Sequence, residues 1–371
     1  AEGMVEMVTT FLRTTNCASE ITNVAIIALA NLTTNAALHP SAASHHECVL
    51  PAMTILISAD AVKHSKESAA AVLRNLSADS RTAHYVAEEE GAIARVVDAL
   101  RTDDDVPVWK KNMTFLARKD LIGVLRNLST HDDWDEELVA HGAVSVLLDS
   151  MGRNFASKKC NEDLIESCAI AIRNLAVNEN VAHVVVAHGL SSLANTVLSK
   201  VQPAGGTVLR KLAIRCHRGA IKAIENVALF AEEHHVAEFI ASKTIACLVG
   251  VLEDDEMAED DDISAAAMKA LGSLVQFAAA KEAIIKVGGK SMVTMLNVSR
   301  KQGAPEESKK TGRAEDFHSG GGRGPNQNRQ NRFEKVERRH ETKIAKSTNL
   351  GFGGKSSRFS EALISDMGYN K

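Results

Sequence analysis

Aromatic residues are scarce in this sequence: Phe, Tyr and Trp make up 4% of the 371 residues, whereas 45% of the residues are hydrophobic. Ala, Leu, Val and Ile therefore supply most of the apolar side chains, and these suit close packing between helices. No apolar run is long enough to cross a bilayer as a helix, so we predict no membrane span. The chain is long and apolar enough for a large ordered core.

Paired cysteines are also missing. None of the six cysteines belongs to a CxxC pair, and most lie in helical patterns, where cysteine behaves as a small hydrophobic residue. This usage is typical of a reducing compartment. We therefore expect a cytoplasmic location, with the cytoskeleton, a cilium or the nucleus as further options.

Catalytic motifs form the third absence. No Gly-rich phosphate loop follows a strand, because no segment has a convincing strand pattern. A group of His, Glu and Cys residues between 39 and 48 lacks zinc-finger spacing. The acidic residues 253–262 lack the ligand spacing and central glycine of a calcium loop. We predict no catalytic residues, no metal site, no cofactor and no enzymatic activity.

What the sequence does contain is a repeated motif. It reads AVLRNLS at 71–77, GVLRNLS at 123–129 and IAIRNLA at 170–176, with three weaker copies. Its central position is asparagine in five copies and serine in the sixth. In order, these positions are Asn31, Asn75, Asn127, Asn174, Asn226 and Ser273. Steps of 44 to 52 residues between them are typical of a helical solenoid.

A glycine anchor recurs in step with the motif. After each anchor, apolar residues follow at helical spacing. The anchor positions are Gly3, Glu47, Gly91, Gly142, Gly189, Lys243 and Gly288 or Gly289. We expect a helix to end and the chain to turn here, often with positive φ. Because a helical segment precedes Gly91 whereas two residues precede Gly3, we also expect further repeats before residue 1.

The segments between the anchor helices and the motif helices differ in length. Long examples cover 101–118, 152–162 and 200–210, and residues 253–262 carry eight acids in ten positions. Insertions of this kind lie on the surface of a solenoid and can bind partners. The simpler interpretation, which we favour, is a solvated loop.

The predicted unit is a short helix, a glycine turn, a second helix, a loop and a third helix that carries the asparagine. This unit resembles the armadillo repeat, and LRNLS at 73–77 and 125–129 is close to the form found in the β-catenin and plakophilin branch. The resemblance implies an all-α fold: a right-handed α-solenoid of about six armadillo repeats over residues 1–300, followed by a low-complexity tail.

The resemblance also implies a concave groove lined by the third helices, where the repeated asparagine hydrogen-bonds the backbone of an extended peptide. Arginine precedes the asparagine in three consecutive copies and favours carboxylates, so we predict an extended, acidic protein segment as the partner. Alternatively, these side chains bond loop carbonyls between neighbouring repeats. The candidate groove residues are Asn31, Arg74, Asn75, Arg126, Asn127, Arg173, Asn174 and Asn226.

One departure separates this sequence from importin-α-type grooves, which carry tryptophan four residues before the asparagine. The residues at those places are Ile27, Ala71, Gly123, Ile170 and Lys222. Without aromatic pockets for lysine-rich import signals, a nuclear import receptor is not expected.

The tail, residues 301–371, is basic: it has 15 Lys and Arg against nine Asp and Glu, whereas residues 1–300 carry a net charge of −10. Residues 303–332 are polar and of low complexity, so we expect the tail to be mostly disordered, with short helices. Residues 358–367 have an amphipathic pattern that could dock on a partner. Its apolar residues are Phe359, Leu363, Ile364 and Met367.

We therefore predict a non-catalytic scaffold or adaptor that holds an extended partner segment in its groove. The main alternative is a structural subunit of a large cytoskeletal or axonemal assembly. A weaker alternative is an RNA-associated factor that acts through its tail, because the Arg, Gly and Asn content there resembles RNA-binding segments. Otherwise we do not expect a nucleic-acid partner.

Overall fold

A computed structural model shows an almost entirely α-helical chain. It describes residues 2–14, 19–34, 42–101, 113–156, 160–198, 200–201, 210–211 and 214–303. Within these ranges the β structure consists of one short antiparallel pair, β1 (Lys200–Val201) with β2 (Arg210–Lys211), in the segment expected to be a loop. The predicted all-α class is confirmed. The tail residues Phe359, Leu363, Ile364 and Met367 lie outside the described residues.

The helices that carry the asparagine motif pack side by side in chain order, each against the next. They are α2 (Glu20–Thr34), α4 (Lys63–Ala78), α7 (Phe115–Leu128), α10 (Glu162–Leu175), α13 (Ile214–Leu229) and α17 (Asp261–Leu274). We call this continuous array the third-helix row. The third-helix row carries the candidate groove residues.

Two further sets of helices complete the repeats. Second helices, which pack on the row, are α1 (Glu2–Thr14), α3 (Ala42–Ile57), α6 (Ala92–Leu100), α9 (Ala143–Ala156), α12 (Leu190–Leu198) and α15 (Thr244–Glu253). First helices are α5 (Ala83–Glu88), α8 (Asp135–Ala140), α11 (Glu179–His188) and α14 (Val236–Ala241), with 3-10 turns Asp132–Trp134 before α8 and Glu233–His235 before α14. The last elements are α16 (Asp255–Ala258) and α18 (Ala278–Gly303), which is broken at Gly289.

The motif itself builds the core. From Asn75 to Asn226, the residues two before and one after each central asparagine are buried, as Leu73 and Leu76 beside Asn75 show. Small residues then let neighbouring third helices approach closely: a Cβ added at Gly219 of α13 would lie 3.1 Å from Cβ of Ala169 on α10. Scarce aromatics and abundant alanine thus translate into tight helix contacts.

Most of the expected turns are present. Gly91, Gly142 and Gly289 have φ of +68°, +84° and +74°, and Lys243, at an anchor position without glycine, has φ +60°. In this left-handed region glycine is unstrained and a larger residue is not. The glycine anchors at these positions therefore have the backbone role predicted for them.

Three anchors differ from the expectation. Gly189 ends α11 as expected, but its φ is −119°; an added Cβ would lie 2.8 Å from Cδ1 of Leu148, so this buried side chain would have to shift. Glu47 lies inside the continuous helix α3, and Gly3 lies inside α1. The sequence pattern identified a common position in the repeat, but the conformation there varies with the packing around it.

The acidic segment 253–262 is more ordered than the favoured solvated loop. It contains α16, whose first turn is capped by Asp254 accepting a hydrogen bond from Met257 N. Asp260 caps α17 in the same way through Ile263 N, at 3.1 Å. Acidic side chains are favoured at these helix N-termini because they satisfy free N–H groups and interact well with the helix dipole.

The described cysteines behave as small hydrophobic residues. Cys48, Cys168, Cys216 and Cys247 are buried, and no disulfide links the described cysteines. Burial raises the thiol pKa of Cys48, Cys216 and Cys247 to about 12. Burial also raises the thiol pKa of Cys168. The thiols therefore stay protonated at neutral pH and are poor nucleophiles.

No single described helix is both long and apolar enough to cross a membrane. Two bent helix pairs reach the required length and composition together: Glu179–His188 with Leu190–Leu198, and Glu233–Ala241 with Thr244–Glu253.

Replacing Gly189 and Gly272 by alanine should have opposite effects. Gly189→Ala forces a methyl group into Leu148, so we expect a loss of about 1–3 kcal/mol in the free energy of unfolding. Gly272 lies inside α17 with nothing within 4 Å of an added Cβ, so Gly272→Ala should gain up to about 1 kcal/mol. Denaturant unfolding measures both, and equal effects would contradict the packing argument.

A buried lysine predicts an unusual pH dependence. Lys66 is 0% exposed and its Nζ donates to Leu56 O, at 2.8 Å, near the end of α3. Burial lowers its pKa from 10.5 to about 8. Between these two values the unfolded chain binds the proton and the folded chain does not, so the lysine's contribution to the free energy of unfolding rises with pH.

The measurement is the difference in unfolding free energy between the wild type and Lys66→Met, followed from pH 7 to pH 10. We expect the difference to shift in favour of the wild type by up to about 3 kcal/mol. Taking the difference cancels the buried thiols, which both proteins share. A pH-independent difference would show that Lys66 has an ordinary pKa.

Candidate functional site

The asparagines of the row connect neighbouring third helices. In four copies the amide nitrogen donates to the third helix of the preceding repeat, near its C-terminal end. The bonds run from Asn75 to Ala30 O (3.3 Å), Asn127 to Arg74 O (3.2 Å), Asn174 to Ser129 Oγ (3.2 Å) and Asn226 to Arg173 O (2.8 Å). These bonds, which we call the asparagine clamps, tie each third helix to the C-terminal part of the third helix before it.

The clamps leave different amounts of bonding capacity free. Asn75 and Asn174 also use their carbonyl oxygens, which accept from Nη2 of the arginine next to them in the sequence, Arg74 and Arg173. Asn127 differs. Its amide nitrogen holds Arg74 O and Ser77 Oγ, but its Oδ1 receives no hydrogen bond from a described residue. An amide oxygen accepts two hydrogen bonds, so Asn127 can still bind an N–H group.

Asn31 and Asn226 mark the two ends of the asparagine series. Asn31 is exposed on α2, and its side chain makes no hydrogen bond with a described residue. Asn226 is 5% exposed, and its amide nitrogen is bonded within the row. The structure therefore places the predicted asparagines on one row, with accessible examples in α2, α4 and α7 and buried ones in α10 and α13.

The three arginines that precede asparagines have different partners. Arg74 forms an ion pair with Asp120 of the next third helix, with 2.5 Å between Nη1 and Oδ1. Arg126 has no carboxylate partner among the described residues, and its one hydrogen bond is a 3.5 Å contact with Ser167 Oγ. Arg173 bonds Asn174 and has further contacts.

The repeat register explains this difference. Asp120 lies seven residues before Asn127, and the equivalent places in the next two repeats hold Ser167 and Gly219. Arg74 therefore meets a carboxylate where Arg126 meets a hydroxyl. Among the described residues, the interface between α7 and α10 therefore has no counterpart of the Arg74–Asp120 pair, which joins α4 and α7.

Other ion pairs also join consecutive third helices. They are Lys119–Asp163 (2.9 Å), Arg215–Asp163 (2.6 Å), Arg215–Glu166 (3.3 Å), Arg218–Asp260 (2.6 Å), Lys222–Asp262 (3.1 Å) and Glu225–Lys269 (3.5 Å). Hydrogen bonds from Lys119 and Arg215 lower the pKa of Asp163, and one from Arg218 lowers that of Asp260. The carboxylates of Asp260 and Asp262, expected to be in a solvated loop, thus form ion pairs with basic residues of α13.

Sequence reasoning missed this network, although its signal was available. The partners occupy fixed places in neighbouring copies: Lys119, Glu166 and Arg218 all lie eight residues before the central asparagine. Aligning the copies shows that the charge at this place alternates in sign. The ligand-like group at 39–48 remains untested, because the side chains up to His46 lie outside the described residues.

Comparison with known proteins yields structural similarity only. No family model matches the chain, and no curated protein does. A crystal structure of an engineered protein is similar, with a TM-score of 0.58 and 18% identity over 80% of this chain and 67% of that one. A second engineered protein has a TM-score of 0.52 and 17% identity over 72% and 95%.

A designed armadillo repeat protein in complex with the peptide (KR)4 has a TM-score of 0.49 and 15% identity, over 73% of this chain and 98% of that one. At these identities the similarities bear on fold alone. The two engineered proteins, together with the three-helix units described above, confirm the predicted fold, an α-solenoid of armadillo repeats.

The clamps should contribute measurably to stability. Asn226→Ala removes a buried donor and leaves Arg173 O without this bond, so we expect a loss of about 1–3 kcal/mol in the free energy of unfolding. Asn31→Ala, the same change at an exposed position, should alter it by less than about 0.5 kcal/mol. Denaturant unfolding of both variants tests this, and equal losses would mean that the clamp contributes nothing.

Proposed function

We propose that this chain is a non-catalytic protein-binding scaffold that holds an extended segment of a partner along the third-helix row. The row is continuous over six helices and carries a series of asparagines along its length. An extended peptide has unpaired N–H and C=O groups at regular intervals, so a series of amides can bind it with little demand on its side chains.

The observation that carries this proposal is the state of Arg126 and Asn127. Arg126 has no carboxylate partner among the described residues, and the amide oxygen of Asn127 receives no hydrogen bond from them. Both side chains are partly exposed. Between them they offer guanidinium N–H groups and one acceptor, which match a carboxylate and a backbone N–H of a bound segment.

An acidic segment fits this place for a physical reason. A partner carboxylate would make with Arg126 the contact that Asp120 makes with Arg74, and charge-assisted hydrogen bonds of this type are strong. At Arg74 the same carboxylate would have to compete with Asp120. The proposed specificity therefore centres on α7 and not on the whole arginine series. We group the repeats with the β-catenin and plakophilin type because of the LRNLS strings and the missing import-type tryptophan.

The alternative functions depend on a different part of the chain. A role in a cytoskeletal or axonemal assembly, and RNA binding, would both rest on the tail, which lies outside the described residues beyond Gly303. The scaffold proposal is preferred because its key residues are on the described row. We place this function in the cytoplasm, since the cysteine usage is typical of a reducing compartment.

Charge reversal at Arg126 tests the proposal directly. The probes are two labelled octapeptides, alternating Gly–Glu and alternating Gly–Lys, titrated into the protein by fluorescence anisotropy. The wild type should bind the Glu peptide more tightly than the Lys peptide. Arg126→Glu should weaken binding of the Glu peptide at least about tenfold, the effect of losing one charge-assisted hydrogen bond and adding repulsion.

The matched control is Lys281→Glu, the same change of charge on an exposed residue of α18. It should leave the affinity within about twofold, because exposed charges beyond a Debye length are screened at physiological salt. Equal weakening by both variants would reduce the effect to net charge. Unchanged affinity in Arg126→Glu, with the fold intact by circular dichroism, would refute the proposed site.

A further inference from the structure

A cluster of metal-ligating side chains lies at the junction of two consecutive repeats, away from the residues discussed so far. Glu179 and His183 are one turn apart on α11, and Glu232 lies at the start of the 3-10 turn that leads into α14. One carboxylate oxygen from each glutamate and one imidazole nitrogen lie within 4.8 Å of one another. Residues four apart share a face of a helix, so α11 presents two ligands together.

His183 provides a second, independent observation. Its Nε2 is buried and has no hydrogen-bond partner among the described residues. Buried polar atoms in proteins almost always have partners, so an unpaired nitrogen requires an explanation. A neutral imidazole nitrogen without a hydrogen-bond partner is a good ligand for a divalent transition metal.

Glu232 is held in place by its surroundings. Its backbone N–H donates to Nδ1 of His235, at 3.1 Å, and its side chain completes a capping box at the start of the 3-10 turn. Nδ1 of His235 accepts this hydrogen bond, which fixes the backbone of Glu232 beside the cluster.

We propose that Glu179, His183 and Glu232 form a binding site for a divalent transition metal ion of the zinc type. Three protein ligands leave the fourth position to a water molecule, as at open zinc sites. Zinc binds imidazole and carboxylate at about 2.0–2.2 Å in a tetrahedral arrangement, so neighbouring ligand atoms are roughly 3.3 Å apart. The exposed glutamate side chains need to move inward by about an ångström to reach this spacing.

The chemistry of the donors selects the class of metal. Magnesium and calcium prefer oxygen ligands, whereas a mixture of imidazole and carboxylate suits zinc and its transition-metal neighbours. Two carboxylates also balance the double positive charge of the ion. Because α11 and the turn at Glu232 belong to different repeats, a bound ion would tie the first helices of consecutive repeats together.

Zinc titration of the full chain by calorimetry tests this proposal. We expect one saturable site in the wild type and at least about a tenfold weaker affinity in Glu179→Gln, which keeps the size of an exposed side chain but weakens its ligand. Zinc should also raise the melting temperature of the wild type and not that of the variant, because ligand binding stabilises the folded state.

Two controls separate this site from other histidines and cysteines. His188→Gln changes an exposed histidine of the same helix and should leave the affinity unchanged, as should the double variant His45→Gln/His46→Gln. Cobalt in place of zinc should give a spectrum without thiolate charge transfer. Absence of saturable zinc binding, equal affinity of the wild type and Glu179→Gln, or a thiolate spectrum would each overturn the proposal.

Discussion

The contact between consecutive third helices is the constraint on which the rest of this structure depends. Each of these helices buries one face against its own repeat and another against the next repeat, so the row must align six helices at close distance. Small residues such as Ala169 and Gly219 allow the approach. The asparagine clamps then set the register, because an amide reaches a carbonyl of the preceding helix at only one position.

The clamps change how a partner can be held. A peptide that competed for the amide nitrogens would have to break the bonds that align the row, and a buried acceptor without its donor is costly. The carbonyl oxygen of Asn127 and the guanidinium of Arg126 impose no such cost. Binding through these groups is compatible with the fold, so the asparagines can serve structure and recognition through different atoms of one amide.

The sequence predicted the fold better than it predicted the bonding within the site. The repeat is visible because core residues recur at fixed distances from the asparagine, as Leu73 and Leu76 do. The predicted turn at Gly142 is confirmed, because a positive φ depends on local chain geometry. Gly189 ends α11 as predicted but without a positive φ, and its close neighbour is Leu148 of a different helix. Side-chain partners across the row were likewise beyond local patterns, because they depend on how two repeats align in space.

The alignment of repeats also explains why Arg126 differs from the other arginines of the third-helix row. Arg74 and Arg126 are the same residue in equivalent places, yet Asp120 faces the first and Ser167 faces the second. Burial raises the pKa of Asp120 although Arg74 acts in the opposite direction, so the cost of burying this carboxylate outweighs its attraction to the arginine. Replacing the acid by serine therefore weakens the solenoid little. The arginine gains much more potential as a recognition group, because a bound segment would exclude water from its hydrogen bonds. Under the proposed function, this small loss in one repeat interface would provide the place where a partner's carboxylate has no competitor among the described residues.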